Sequence, residues 1–443
     1  MIRLLPIFLL FCLAGAFAAE PEKVFHFPYT QEDLPNGLRL VTIPTGFPNI
    51  VSVYIVVRTG SRNEVEPGKT GFAHLFEHLM FRGTPRYPAG KYTSILKTAG
   101  ADANASTNAD STVYHITFSK EDLDSILMLE ADRFQNLKYS PEDFKTETRA
   151  VLGEYNKNSA DPTQKLDETL LDTAFLRHTY KHTTMGTLKD VEDMPNQFEY
   201  GLEFFSRYYK PEYTTIIVAG DVDRSQVRPA VDRYWGKWKR GSYRADIPVE
   251  PPQEQQRTAK VAWAGATLPW LAVAFHAPAY SDSNPGWAAL NLLSYLGFSQ
   301  NSDLYQKLVI TEQRVDRLEA DLVASPDPFL FTIAARLKKP DYLPYVQQQV
   351  LQTLEHFVTT PVEKEKLELV KLHLRSRFTL SLNNTQAVAA AVSRALRADR
   401  SVDTIDRLYD LYSRISPEDI QRAAAKYLDA KNRTVVTLTG GQR

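Results

Sequence analysis

The chain has 443 residues, of which 43% are hydrophobic and 24% are charged. That length exceeds one ordinary hydrophobic core and predicts two or three domains, and the composition excludes extensive disorder and a polytopic membrane protein. The 52 basic and 53 acidic residues give a net charge of -1, so the chain has no basic field for nucleic acid and no polybasic membrane anchor. A peptide, carbohydrate or small-molecule partner remains.

The first twenty residues have the pattern of a secretory signal peptide. Arg3 supplies the positive start, residues 4–13 the apolar run, and Ala16-Phe17-Ala18 the small-x-small cleavage pattern. A retained interfacial anchor is the alternative, but the run is too short to span a bilayer comfortably. Cleavage after Ala18 predicts an exported protein, periplasmic in a Gram-negative host and otherwise secreted, with no stable membrane anchor. It also removes Cys12, the only cysteine, so any metal site must use His, Asp and Glu.

The rest of the first half shows strand-like and helical patterns in turn. The sequence predicts strands at 38–43, 51–57, 109–118 and 213–219, and helices at 70–81, 121–137, 141–158 and 197–209. A polar stretch with three prolines follows at 236–256 and predicts a linker.

The second half repeats this order. A strand-like run at 270–276 precedes a helical stretch at 285–296 and another strand at 329–335, and both halves close on an amphipathic helix and a strand ending in glycine. We therefore predict an α+β protein of two homologous domains, each a mainly antiparallel sheet with helices packed against it. The predicted boundaries are 1–18 for the signal peptide, 19–238 and 259–443 for the domains, and 239–258 for the linker.

The sharpest local signal is the run His74-Leu75-Phe76-Glu77-His78. His74 and His78 are four residues apart, so on a helix both imidazoles project from one face and can hold one ion. Glu77 can reach a water on that ion, and the motif is the H-x-x-E-H arrangement, the reverse of the commoner H-E-x-x-H zinc helix. The alternative is a chance pentapeptide with two surface histidines, expected in about 1% of chains of this length. The apolar face of the same helix argues against that alternative.

A third ligand of the right chemistry lies on the helix predicted at 141–158. Ser140 and Pro141 form a favourable helix start, and Glu147 and Glu154, two turns apart, share one face. Carboxylates beside a core need partners, and a metal is one, although a solvated face remains the alternative for Glu147. Two His and one Glu would leave zinc one open position for catalysis.

These motifs resemble the pitrilysin/insulinase family of inverted zinc peptidases, and most closely the branch of the mitochondrial processing peptidase and its short bacterial relatives. The resemblance rests on H-x-x-E-H followed by FRGT at 81–84 and on Glu154, seventy-six residues after His78, and it extends over essentially the whole mature chain. It implies a processing-peptidase-like metallohydrolase fold, with the metal in the first domain only. It also implies one zinc per chain held by His74, His78 and Glu154, with Glu77 as general base and Glu147 behind the ligands.

Residues 100–107 resemble the family's strand beside the active site, where substrate adds as a further β-strand. The resemblance thereby implies a peptide substrate, extended or unfolded, with contacts at Asn104 and Ala105. A second histidine pair, His178 and His182, is also four residues apart, but it lacks a glutamate in the base position and Tyr180 lies in a loop-like context. We do not expect that pair to bind a metal.

One departure from the family concerns the second domain, which usually carries an Arg and a Tyr that reach the substrate carbonyl. In the matching stretch, 302–316, those places are taken by Val309 and Asp316, which donate no hydrogen bond at neutral pH, although Arg314 and Arg317 lie nearby. Losing one oxyanion donor costs about 10²–10³ in turnover. We therefore expect the zinc-bearing subunit of a heterodimeric peptidase whose partner supplies Arg and Tyr. The alternative is a non-catalytic assembly subunit related to the processing peptidases.

Overall fold

Two β-sheets with packed helices make up residues 23–441, the part of the chain that the computed structural model describes. The predicted signal peptide and Cys12 lie outside that range. Within it, no helix combines the length and the apolar composition that crossing a bilayer requires.

The first sheet is built from six strands, arranged in the order β1-β2-β6-β3-β5-β4 with only β2 and β6 parallel. The strands are β1 (Thr30–Asp33), β2 (Arg39–Pro44), β3 (Ile50–Val57), β4 (Asp102–Thr107), β5 (Thr112–Ser119) and β6 (Thr214–Gly220). The helices of this half are α1 (Phe72–Leu79), α2 (Ala89–Thr98), α3 (Leu123–Asn136), α4 (Pro141–Asn158), α5 (Pro162–Ala174), α6 (Leu188–Asp193), α7 (Phe198–Tyr208) and α8 (Arg224–Trp235).

The second sheet has five strands in the order β7-β11-β8-β10-β9, with only β7 and β11 parallel. They are β7 (Arg257–Trp263), β8 (Trp270–His276), β9 (Val315–Leu322), β10 (Leu330–Leu337) and β11 (Arg433–Gly440). Its helices are α9 (Pro285–Phe298), α10 (Asp303–Tyr305, continued by a π-helical turn, Gln306–Thr311), α11 (Leu343–Thr359), α12 (Lys364–Ser381), α13 (Thr385–Ala398), α14 (Thr404–Arg414) and α15 (Pro417–Tyr427).

The two sheets are copies of one topology. In chain order β2 to β6 correspond to β7 to β11, because both sets have the same order across the sheet and the same single parallel pair. This confirms the prediction of two homologous α+β domains with mainly antiparallel sheets. The first copy has β1 as an additional strand on the outer edge of β2.

Each sheet is covered by a helix from the other half of the chain. Helix α5 from the first half packs on the second sheet, where Leu170 lies in one buried cluster with Trp270. Helix α13 from the second half packs on the first sheet, where Leu396 shares a buried cluster with Ile217. The sheets are therefore sealed by helices that lie far from them in the sequence, and the predicted boundaries at 238 and 259 remain a prediction.

The segment between α8 and β7 has no helix or strand, but it is fixed in place. The carboxylate of Glu250 accepts backbone N–H groups of Leu176, Arg177 and His178 at 2.8, 2.8 and 3.0 Å. Those three donors lower the pKa of Glu250 even though burial opposes them. The connection between the domains is thus held against the first domain by a buried anchor.

Candidate metal centre

Helix α1 carries the histidine motif and is shorter than the stretch predicted at 70–81. It begins after Gly71, whose φ is +90°, and a 3-10 turn (Met80–Arg82) follows before Gly83 at φ +86°. Gly83 is required because a Cβ there would lie 2.4 Å from the carbonyl oxygen of Tyr87. Two left-handed glycines therefore limit the helix to two turns.

The same helix has one face in the core and the other towards α4. Phe72, Leu75, Phe76 and Leu79 are each no more than 1% exposed, which fixes the rotation of the helix about its axis. The histidines and Glu77 project from the remaining surface. Burial of those four apolar side chains contributes roughly 1.5–3 kcal/mol each to holding α1 in place.

Helix α4 supplies the carboxylates. Its first turn is fixed by a capping box, in which the Ser140 hydroxyl accepts the Asp143 N–H at 3.1 Å and Pro141 occupies the first position. Phe144 and Val151 are fully buried, so the helix turns Glu147 and Glu154 towards α1.

His74, His78 and Glu154 come together as a metal-ligand set. Nε2 of His74 lies 3.3 Å from Nε2 of His78, and Oε2 of Glu154 lies 3.7 Å from the first nitrogen and 3.6 Å from the second. Ligands at about 2.0–2.1 Å from a tetrahedral zinc are separated by about 3.3–3.4 Å from one another. The histidine pair has that spacing, and the Glu154 oxygen lies a few tenths of an ångström beyond it.

The electrostatics of the two histidines differ. Burial lowers the pKa of His74 to about 4, and the neighbouring His78 adds to this shift, so His74 is a neutral imidazole at pH 7. The Glu147 carboxylate, with Oε2 3.5 Å from Nδ1 of His78, raises the pKa of His78. A metal ligand must be unprotonated, and burial favours that form of His74, whereas the Glu147 carboxylate favours the protonated form of His78.

Glu77 lies between the helix and the sheet edge. Its Oε2 accepts a hydrogen bond of 2.6 Å from Oγ1 of Thr107, the last residue of β4. Burial raises the pKa of Glu77, and the Thr107 hydroxyl opposes that shift. The result is a carboxylate held in one orientation with a basicity moved towards neutrality, as a general base requires.

Two residues of this centre were not assigned by the sequence reasoning. Thr107 orients Glu77, and Arg82 donates hydrogen bonds to Oε1 of Glu147. Both fall inside stretches that resemble the family, 100–107 and 81–84, but neither stretch indicates which side chain it contacts. A contact across 65 residues of sequence, such as Arg82 with Glu147, leaves no periodic signal.

Asn104 and Ala105 lie on β4, the edge strand next to Thr107. β4 pairs with β5 on one side, and no strand within 23–441 covers its other side. The N–H of Ala105 donates to the side-chain oxygen of Asn104, at 2.8 Å.

The second histidine pair is arranged differently from the first. His178 and His182 flank a 3-10 turn rather than lying on one helix face. Nε2 of His178 lies 3.1 Å from Asp327, whereas Nδ1 of His182 lies 3.0 Å from the carbonyl oxygen of Thr183. The two rings thus have separate partners.

The stretch matched to the family's Arg/Tyr pair is occupied by internal contacts. Val309 lies in the π-helical turn, and Asp316 accepts two hydrogen bonds from Arg336 at 2.8 and 3.0 Å. Arg314 lies over the Tyr345 ring at 4.3 Å. Arg317 is paired with Glu319 at 3.0 Å.

The H-x-x-E-H helix lies in the first of two homologous α+β domains, and comparison with known proteins gives the family of the chain. Residues 40–188 match the family model described as insulinase (peptidase family M16), and residues 201–374 match the one described as the peptidase M16 inactive domain. The chain belongs to peptidase family M16. The division agrees with the structure, because the potential ligands all lie in the first of these two regions.

Relatives are similar over nearly the whole chain. The zinc protease PqqE of Helicobacter pylori is 28% identical over 91% of each chain, and the mitochondrial-processing peptidase subunit beta of Blastocladiella emersonii is 23% identical over 95% of this chain and 91% of its own. The crystal structure of a protease from Helicobacter pylori superposes with a TM-score of 0.86 at 27% identity, covering 93% of this chain and 99% of that one. Named relatives that are zinc proteases support a zinc peptidase here.

Proposed function

We propose that this protein is the zinc-bearing subunit of an exported metalloendopeptidase that hydrolyses extended or unfolded peptides. The observation that carries the proposal is the set of three ligand atoms, 3.3 to 3.7 Å apart, on the helix that also carries Glu77. One zinc per chain would be held by His74, His78 and Glu154. Zinc in such a site lowers the pKa of a coordinated water to about 7 and polarises a carbonyl.

Glu77 is the proposed general base. Thr107 holds one of its oxygens by a hydrogen bond, and Glu77 lies on the same helix as the two histidines. It would take a proton from the attacking water and return it to the leaving amine. Glu147 would act through His78, because its carboxylate beside Nδ1 favours the tautomer that leaves Nε2 free.

The proposed substrate contact is the free edge of β4. A peptide that adds there as a strand is recognised through its backbone, so extended and unfolded chains fit and folded ones do not. Asn104 and Ala105 are the residues proposed to contact it. Because Thr107 ends the same strand, the bound peptide would pass beside the base that acts on it.

The proposed partner is a related chain that supplies an Arg and a Tyr. Val309 and Asp316 donate no hydrogen bond to a substrate carbonyl, and Arg314, Arg317 and Arg336 have partners inside the second domain. One relative is itself named as a subunit. The alternative, a non-catalytic assembly subunit, would need no ordered metal ligands, and the intact His74, His78 and Glu154 set disfavours it.

Peptide hydrolysis by the purified mature chain, with a related Arg/Tyr-bearing chain added, tests the proposal. Cleavage of an unfolded peptide that stops on chelation and returns with zinc is the expected result. The same sequence inside a folded domain should be resistant. Zinc-loaded protein that cleaves no peptide with any related chain added would favour the assembly function.

A further inference from the structure

The N-terminus of α1 depends on a carboxylate from outside the helix. Gly71, at the N-cap, has no side chain that could accept a hydrogen bond from the first turn. A helix of 8 residues is too short to be stable alone, and its unpaired N–H groups need partners. Glu64 provides them, because Oε2 accepts the Gly71 N–H and Oε1 accepts the Ala73 N–H, each at 2.8 Å.

This carboxylate is fully enclosed. The Glu64 side chain has no exposed surface, and Nδ1 of His182 lies 3.8 Å from its Oε2. Burial raises the pKa of Glu64 to about 8, while the backbone N–H groups favour its charged form. The helix N-terminus, with its partial positive charge, is the site at which a buried carboxylate is best accommodated.

The two histidines differ in the surroundings of Nδ1, the second ring nitrogen, and this difference points to a role for Glu64. His78 has Glu147 beside its second ring nitrogen, whereas the buried Nδ1 of His74 has no hydrogen-bond partner among the described residues. Metal-ligating histidines usually donate that second N–H to an acceptor that orients the ring. His74 lacks one, so the position of its ring depends on the backbone of the first turn of α1.

We infer that Glu64 is a positioning residue for the metal centre, which places the His74 ring by fixing the backbone of Gly71 and Ala73. Glu64 positions the His74 ring indirectly, through the backbone of the helix, whereas Glu147 positions the His78 ring by direct side-chain contact. The inference goes beyond the proposed peptidase activity but rests on His74 being a metal ligand.

Metal affinity of the Glu64→Gln variant tests this inference. Gln has the same shape but presents an amide N–H₂ to one of the two backbone donors. We expect zinc affinity, measured by chelator competition, to fall by about 10–100-fold, and the visible absorption of the cobalt-substituted protein to change. Glu66→Gln is the control, because the Glu66 carboxylate accepts hydrogen bonds from Tyr200 and Arg207 of α7.

A second control separates a metal effect from general loss of stability. Glu130 is also fully buried in the first domain, but it pairs with Arg133 and Tyr92, so Glu130→Gln should lower the melting temperature without weakening zinc. Folded Glu64→Gln with the zinc affinity and cobalt spectrum of the parent would overturn the inference. If Glu64→Gln does not fold, the same two measurements on Glu64→Asp decide in the same way. A parent protein that binds no zinc would instead contradict the proposed metal centre.

Discussion

The two domains share one topology, yet among residues 23–441 only the first domain brings together a set of potential metal ligands. Helices α4 and α12 each have 18 residues and occupy the same place in their domains. Aligned from their first residues, Phe144, Val151 and Tyr155 of α4 match Leu367, Leu374 and Phe378 of α12. The apolar stripe is therefore kept in both copies, and Leu367 and Leu374 lie in the core of the second domain as Phe144 and Val151 lie in the core of the first.

The polar positions of the same alignment differ. Val370 stands in the place of Glu147, and Arg377 in the place of Glu154. Helix α9, the counterpart of α1, has no His, Asp or Glu in its 14 residues, and nine of them are buried. The fold thus provides the position of a site, while a few side chains on α1 and α4 decide whether a metal can bind there.

The largest expected effect on activity comes from removing the proposed general base of the first domain. Glu77→Gln should lower peptide hydrolysis by about 10²–10⁴-fold, because general-base catalysis contributes that much. Zinc content should not change, since Glu77 is not among the three ligand residues. Glu355→Gln, on an exposed face of α11 in the second domain, is the control. Hydrolysis by Glu77→Gln at the parent rate would remove Glu77 from the mechanism.

The proposed partner chain would supply the hydrogen-bond donors to the substrate carbonyl that Val309 and Asp316 cannot provide. Adding a related chain with Arg and Tyr should raise the turnover of the isolated protein by about 10²-fold or more, which is the typical contribution of an oxyanion donor. Assays of each protein alone give the baseline turnover. High turnover of the isolated chain, unchanged by the addition, would show that the second domain lacks nothing.

The exchanged helices predict that a substitution in the second half destabilises the first sheet. Leu396→Ala on α13, 1% exposed in the parent, should lower the free energy of unfolding by about 2–5 kcal/mol because it leaves a cavity. Leu380→Ala on α12, 75% exposed, should change it by less than about 0.5 kcal/mol. Denaturant titration of both variants checks this. Equal effects would contradict the packing of α13 on that sheet.

Contacts between loops of the two domains predict a smaller, pH-dependent effect on the free energy of unfolding. Although burial opposes it, hydrogen bonds from His178 and Arg62 lower the pKa of Asp327 to about 2, below its unfolded value of about 3.9. Its contribution is therefore present above about pH 4 and is lost as the pH falls towards 2. Asp327→Asn should cost roughly 1–2 kcal/mol at pH 7 and progressively less in acid. Thermal unfolding at several pH values measures this, and a cost independent of pH would contradict it.

Sequence reasoning reached the metal centre because its parts are local. H-x-x-E-H and the Glu147/Glu154 spacing are periodic patterns within single helices, and the structure brings together His74, His78 and Glu154, the set that the family resemblance implies. The repeated order of strands and helices was equally visible, since each element carries its own hydrophobic period.

Other features depended on contacts that no local pattern records. Helices α5 and α13 have ordinary amphipathic sequences, so nothing indicates that each would cover the other domain's sheet. Glu64 reaches the N-terminus of α1 from a loop, and Thr107 reaches Glu77 from a strand. The bounds of α1 were predicted too long because the backbone conformation of Gly71 and Gly83 decides them.

The central claim is that the first domain alone holds one zinc, and metal analysis of the purified mature chain tests it most directly. We expect close to one zinc per chain, and we expect the His78→Ala variant to lose it. The control variant His373→Ala, which removes an exposed histidine from α12 of the second domain, should keep it. A parent protein without zinc, or zinc retained in full by His78→Ala, would contradict it.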